Sequence, residues 1–272
     1  MIHSAGSSYV ALTNPNGDVY YNADGLAIAR GQVSGASCID KFGKAPDFDT
    51  ADGFVTIYDG ANDALLGSAM QYTYSATANI DRISSDNGGD NQDIEIQGLD
   101  STFALLTQTV TLTNQTPATI PTALIRVFRM KNVGTTNNAG NIYCFVNSAV
   151  TSGKPNTQTN IRASIQIGLN QTLMAVYTIP AGKTGYMDSF NVGIASAIKT
   201  SAHIVHLLAR PTGQVFQIKH ATAVNGAGTS HIQHRFPEPP SFAEKTDIEL
   251  QVNTDANAAA VSGGFAIRLF DN

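Results

Sequence analysis

Hydrophobic and polar residues alternate along much of this chain with the period of a β-strand. Asp247-Ile248-Glu249-Leu250-Gln251-Val252-Asn253 is the clearest case. Successive side chains of a strand point to opposite faces, so the segment predicts one buried face (Ile248, Leu250, Val252) and one wet face. Asp93-Ile94-Glu95-Ile96-Gln97 repeats the pattern, and Thr107 to Thr113 sets Val110 and Leu112 between threonines. Phe265, Ile267 and Leu269 form the inward row of a last strand. Further strands are predicted over 161–167, 173–179, 185–194, 203–209, 215–220 and 232–236. Helical spacing of apolar residues is nearly absent, and the Ala-rich piece Ala256 to Ala260 reads as a loop.

The strands are punctuated by Asn16-Gly17, Asp24-Gly25, Asp52-Gly53, Asp59-Gly60, Asn87-Gly88 and Asn225-Gly226, dipeptides that accept positive φ and reverse the chain. Val176 to Met187 reads as strand, tight turn, strand: Pro180 presets φ and Gly182 supplies the unusual dihedral. Many short strands between regular turns predict an all-β fold, an antiparallel β-sandwich or jelly-roll-like architecture. Residues 1–50 lack sustained alternation and read as an irregular N-terminal arm that drapes over a neighbouring subunit, or as a strand or two with a tail. A polar break at Thr151-Ser152-Gly153-Lys154-Pro155-Asn156 divides the rest into two β domains, 51–153 and 154–272.

Composition sharpens this picture. The 272 residues are 42% hydrophobic but only 14% charged, against roughly 25% in ordinary globular domains. The polar surface therefore rests on Thr, Ser, Asn and Gln. The net charge of −5, with no run of Lys or Arg, argues against a nucleic-acid partner. No apolar run reaches membrane-spanning length, and Met1 to Val10 lacks a secretory pattern, so synthesis in a cytoplasm is expected. Cys38 and Cys144 are too few and too far apart for a disulfide framework and read as reduced, buried thiols.

Candidate chemistry is sparse, and no catalytic, cofactor-binding or metal-ligating residue is assigned. The histidines are His3, His203, His206, His220, His231 and His234. The 203/206 and 231/234 pairs fall on opposite faces of a strand, so neither pair chelates alone, although a cluster from different strands stays open. Asp47 to Gly53 has the look of a calcium loop but fails on spacing: Ala51, Asp52 and Tyr58 stand where an acidic ligand, a glycine and the closing Glu belong. The loop Asp86-Asn87-Gly88-Gly89-Asp90-Asn91-Gln92-Asp93 offers oxygen donors for a weak calcium site, with a solvated hairpin tip as the default. No nucleophile elbow and no phosphate loop leading into a helix is present.

One segment carries a resemblance. Gly35-Ala36-Ser37-Cys38-Ile39-Asp40-Lys41-Phe42-Gly43-Lys44-Ala45-Pro46 resembles a G-x-S-x-I-x-K-F-G-x-x-P segment of virion structural proteins of tailed bacteriophages, marine ones especially. Later pieces follow in a matching order: Ile96 to Asp100, the Thr-rich strand to Thr113, Arg126 to Met130, Gln171 to Tyr177 with the turn after it, and Gly263 to Asn272. The resemblance implies a virion location after synthesis in the bacterial host cytoplasm. It also implies a homo-oligomer, a trimer among the options, held by the major capsid protein or by tail or portal-proximal proteins. It implies no cofactor, membrane or enzymatic role.

Three readings follow. The first is a capsid-associated decoration, cement or vertex knob protein. The second is a tail adaptor or receptor-binding module that uses loop aromatics such as Tyr177 and Tyr186. The third is a carbohydrate-active enzyme whose convergent carboxylates would be Asp86, Asp90, Asp93 and Glu95.

Overall fold

The structure is a computed structural model that describes residues 25–60, 71–195, 201–225 and 229–272. The calls on His3, Asn16-Gly17 and the first 24 residues of the predicted arm lie outside the described residues. A five-residue helix, α1 (Gly25–Ala29), leads into the strands. In the first half these are β1 (Ala36–Phe48), β2 (Val55–Thr56), β3 (Ile80–Ser85), β4 (Asp93–Leu99), β5 (Leu105–Thr111), β6 (Ala118–Leu124), β7 (Arg126–Asn132), β8 (Ile142–Val146), β9 (Val150–Thr151) and β10 (Lys154–Pro155). The second half contributes β11 (Ile161–Ile165), β12 (Val176–Thr178), β13 (Lys183–Ala195), β14 (Ala202–Pro211), β15 (Gln217–Asn225), β16 (Thr229–Arg235), β17 (Ser241–Phe242), β18 (Thr246–Thr254) and β19 (Ala259–Asp271). The all-β expectation holds, and no helix among the described residues is long and apolar enough to cross a membrane.

Four antiparallel sheets build two sandwiches. In the first, the sheet β1-β19-β13-β16 faces the sheet β12-β18-β14-β15, to which β2 adds beside β18. Phe48, Val55, Phe190, Val205, Leu207, Ile248, Leu250, Val252, Phe265, Ile267 and Leu269 fill the space between them. In the second, β11-β8-β3-β6 faces β5-β4-β7 around Ile80, Ile83, Ile94, Ile96, Val110, Leu112, Val127, Met130 and Cys144. The inward rows predicted from alternation are therefore the observed core rows. Each such Ile, Leu or Val contributes roughly 1.5–3 kcal/mol by leaving water.

The pairing of strands differs from the predicted division. Residues 36–48, within the segment read as an arm or as a strand or two with a tail, form a 13-residue strand that pairs with the last strand, from Ala36↔Phe270 to Phe48↔Ala259. β2 likewise joins β18. The polar break at 151–156 is only the tight β9–β10 ribbon, after which β11 returns to β8 in the second sandwich. The first sandwich thus draws on both ends of the chain, and the second occupies its middle. Gly43 shows how closely β1 is seated: a Cβ there would lie 2.2 Å from the Ile57 carbonyl and 2.4 Å from the Ala175 nitrogen.

The turn at 180–182 is also placed differently. Gly182 does hold positive φ, at 73°. Yet β12 pairs with β18 while β13 pairs with β19, so the turn carries the chain from one sheet to the facing one instead of closing a hairpin.

Candidate functional site

Alternation on β18 predicts a wet face of Asp247, Glu249 and Gln251. Those three side chains are instead buried, because the second sandwich packs across them. Arg126, the first residue of β7, reaches over from that sandwich with its guanidinium fork. Its Nε donates to Asp247 Oδ1 at 2.8 Å and its Nη2 to Oδ2 at 3.0 Å. The two side chains are 5% and 1% exposed. Arg126 Nη1 donates to the Ser75 and Ile125 carbonyls at 2.6 and 2.8 Å. Asp247 also accepts from Thr178 Oγ1 at 2.6 Å and from Arg210 Nε at 3.1 Å. A buried ion pair repays its desolvation only with such geometry and with its remaining hydrogen-bonding positions filled, and both conditions are met here.

Glu249, two residues along the same face, accepts from Tyr74 OH at 3.0 Å and from Gln251 Nε2 at 2.5 Å. Burial pushes its carboxyl up from the ordinary 4.5 to about 7, although the hydrogen bonds from Tyr74, Gln251 and Thr56 pull the other way. Burial, followed by the nearby Glu249 and Asp247 carboxylates, raises the Tyr74 phenol well above its usual range. The Tyr74 ring also lies under both arginines, 5.1 Å from the Arg126 guanidinium and 4.7 Å from that of Arg210. Phe216 stacks near Arg210 at 4.5 Å.

Beside this joint opens a cleft of about 440 Å³, lined by Tyr74, Phe103, Ile125, Arg126, Arg210 and Gln214, with Asp247 at its base. Unusual backbone surrounds it. Phe103 and Lys245 hold φ of 65° and 60°, and Gly213 holds 81°. Positive φ is uncommon for a bulky non-glycine side chain such as Phe103 and is kept only where surrounding contacts impose it.

The candidates raised from the sequence are distributed elsewhere. The acidic loop is not a solvated tip. Asp90 is fully buried, and it accepts from Ser85 Oγ at 2.6 Å, from the Ala139 and Gly140 N–H groups at 2.7 and 2.9 Å, and from Gln92 Nε2 at 3.3 Å. Burial by itself would raise this carboxyl, but those hydrogen bonds outweigh it and hold the group below the usual carboxylate range. Asp86 accepts from the Asn141 backbone and side chain and from Tyr143 OH. Asp93 and Glu95 lie on the outer face of β4, where Asp93 accepts from Thr111 and Glu95 pairs with Lys131 at 3.7 Å. Among the described residues no three His, Cys, Asp or Glu side chains are grouped to hold a metal ion.

His203 is buried, whereas His206 stacks on Phe54 across the sheet with ring centroids 4.4 Å apart. Two histidines from different strands do meet. His220 of β15 and His234 of β16 lie 4.2 Å apart, with Phe190 and Phe236 around them. Burial, followed by the neighbouring His234, lowers the His220 pKa. Cys144 is buried as expected, but Cys38 is exposed, because it lies on the outer face of an edge strand. The Arg126–Asp247–Arg210 joint went unnoticed in the sequence. Its one local signal is a charged residue inside the apolar run Ile125-Arg126-Val127-Phe128.

No family model and no curated protein sequence matches the chain. Among solved structures, that of infectious bursal disease virus, Gt strain, aligns at 10% identity with a TM-score of 0.24, over 88% of this chain and 73% of that one. The VP2 subviral particle of the same virus aligns at 11% identity and a TM-score of 0.23, over 88% and 68%. A likeness at these scores carries no argument about this chain.

Proposed function

We propose that the protein is a non-enzymatic structural component of a tailed-bacteriophage particle, a capsid-associated decoration, cement or vertex knob protein that works as a homo-oligomer. One observation carries this reading: the segment that resembles the phage virion proteins, Gly35 to Pro46, coincides with β1, the edge strand of its sheet. From Ala36 to Ala45 the register with β19 runs without interruption, and among the described residues no strand pairs with the other side of β1. An edge with no strand partner among the described residues is, over that length, a template for a strand from a neighbouring chain. Of the two lysines on this strand, Lys41 is turned inward, donating from Nζ to the Phe128 carbonyl at 2.6 Å, and Lys44 is exposed. The low charge and the Thr-, Asn- and Gly-rich surface suit a protein held among neighbours.

The test is the copy number of the protein in purified particles, by quantitative mass spectrometry against the major capsid protein. Copies on the order of sixty or more per particle, as icosahedral positions require, support the capsid role. Copies on the order of a dozen move the protein to the tail and favour an adaptor or receptor-binding role. Absence from particles overturns the virion reading.

A further inference from the structure

We propose that the cleft between the two sandwiches binds a carboxylated sugar, with Arg210 as its anchor. The Arg210 guanidinium rests against a pair of touching rings, 4.7 Å from the Tyr74 centroid and 4.5 Å from that of Phe216, with the two rings 5.4 Å from each other, so one side of it is backed by aromatic surface. Its Nε is engaged by Asp247, whereas Nη1 and Nη2 have no hydrogen-bond acceptor among the described residues. The side chain is 27% exposed and lines the cleft, so these parallel donors are available to solvent. A planar fork fixed in this way matches the two oxygens of a carboxylate.

The charges around the cleft are Arg126, Arg210 and Lys245 against Asp247 and the partly protonated Glu249. The Asp247 carboxylate behind the fork repels a monoanionic carboxylate less than a dianionic phosphate. The volume of about 440 Å³ exceeds what a carboxylate fills and accommodates a pyranose ring. The remaining walls suit such a ring. Phe103 and Ile125, 8% and 6% exposed, add a narrow apolar strip beside Tyr74, and the exposed Gln214 amide offers a donor and an acceptor to the sugar hydroxyls. Phe103 and Gly213 in this lining, and Lys245 beside it, hold positive φ. Arg126 serves a different purpose: its donors are committed to Asp247 and two carbonyls, so it holds the joint and adds charge.

Sugar binding and incorporation into a particle are separate properties, and each can fail alone. The full chain is titrated at low ionic strength with D-glucuronate, N-acetylneuraminate, methyl glucoside and acetate, followed by calorimetry and ligand-observed NMR. Saturable binding of at least one carboxylated sugar is expected, with methyl glucoside and acetate each at least about tenfold weaker. Arg210→Lys retains the charge but loses the fork, and it is expected to weaken binding by about tenfold or more. Phe216→Leu leaves every charge in place and is expected to weaken binding several-fold by freeing the guanidinium, which keeps the site testable if Arg210 variants fold poorly. The proposal is overturned if neither acidic sugar saturates the protein, or if methyl glucoside or acetate binds as tightly as the acidic sugar. It is equally overturned if a folded Arg210→Lys variant keeps wild-type affinity.

Discussion

Asp90 and Asp247 are both buried carboxylates, and they are held by opposite means. Asp90 sits in the loop between β3 and β4 and accepts only from neutral donors: a serine hydroxyl, a glutamine amide and two backbone N–H groups. All of them belong to the second sandwich. Asp247 lies where the two sandwiches meet and accepts from two arginines and a threonine, one arginine coming from each sandwich. The difference is one of purpose. Neutral donors suffice to lock a loop onto its own domain, because the carboxylate needs only as many dipoles as water would have offered. A charge buried between two bodies gains from a countercharge on the opposite body, and it registers them against each other because loss of either partner leaves the other stranded.

The largest effect that separates the two sites is expected from Arg126→Met. It leaves Asp247 buried with Arg210 as its sole cation and should cost about 3–5 kcal/mol in urea-induced unfolding. The same change should loosen the two sandwiches from one another and split the unfolding transition. Asp90→Asn, in contrast, should cost about 1–3 kcal/mol and leave a single transition, since it disturbs one loop. If the two variants behave alike in size and cooperativity, the distinction between joint and lock is wrong.

A second, smaller test uses pH and Glu249. Its folded-state pKa is raised from 4.5 to about 7. The folded chain therefore binds this proton more tightly than the unfolded chain does. The resulting stability is fully present below about 4.5, declines as the pH rises, and is gone above about 7. Glu249→Gln should abolish this component, so that the wild type loses on the order of 1–3 kcal/mol more than the variant between mildly acidic and neutral pH. Parallel stability profiles for the two proteins would show that the carboxyl is not desolvated by the second sandwich.

The smallest effect is expected at the corner between β12 and β13. Gly182 holds φ of 73° with open space around the position a Cβ would take, so only conformational strain opposes a side chain there. Gly182→Val should cost about 1–2 kcal/mol in thermal unfolding, while Gly182→Asn, which tolerates this conformation, should cost less. Equal losses in the two variants would mean that crowding, not dihedral strain, sets the cost.

The strands and their inward rows were legible from alternation alone. Ile248, Leu250 and Val252, Phe265, Ile267 and Leu269, and Val110 and Leu112 all lie in the core as their spacing predicts. The strain at Gly182 was legible too, because φ preference is a local property. Partnership was not. A period of two says that a strand has two different faces and nothing about what will cover them, and so Asp247, Glu249 and Gln251 read as wet although a second sandwich buries them. The same blindness left β1 undecided between an arm and a strand or two with a tail, since its partner β19 lies at the other end of the chain. It also turned a sheet-crossing corner at Pro180–Gly182 into a hairpin. By itself the sequence determined an all-β chain of low charge with well-marked strands and turns. Tertiary structure alone decided which strands meet, which polar face loses its water, and that two arginines and an aspartate converge at a cleft, because such choices depend on contacts between residues that no local pattern links.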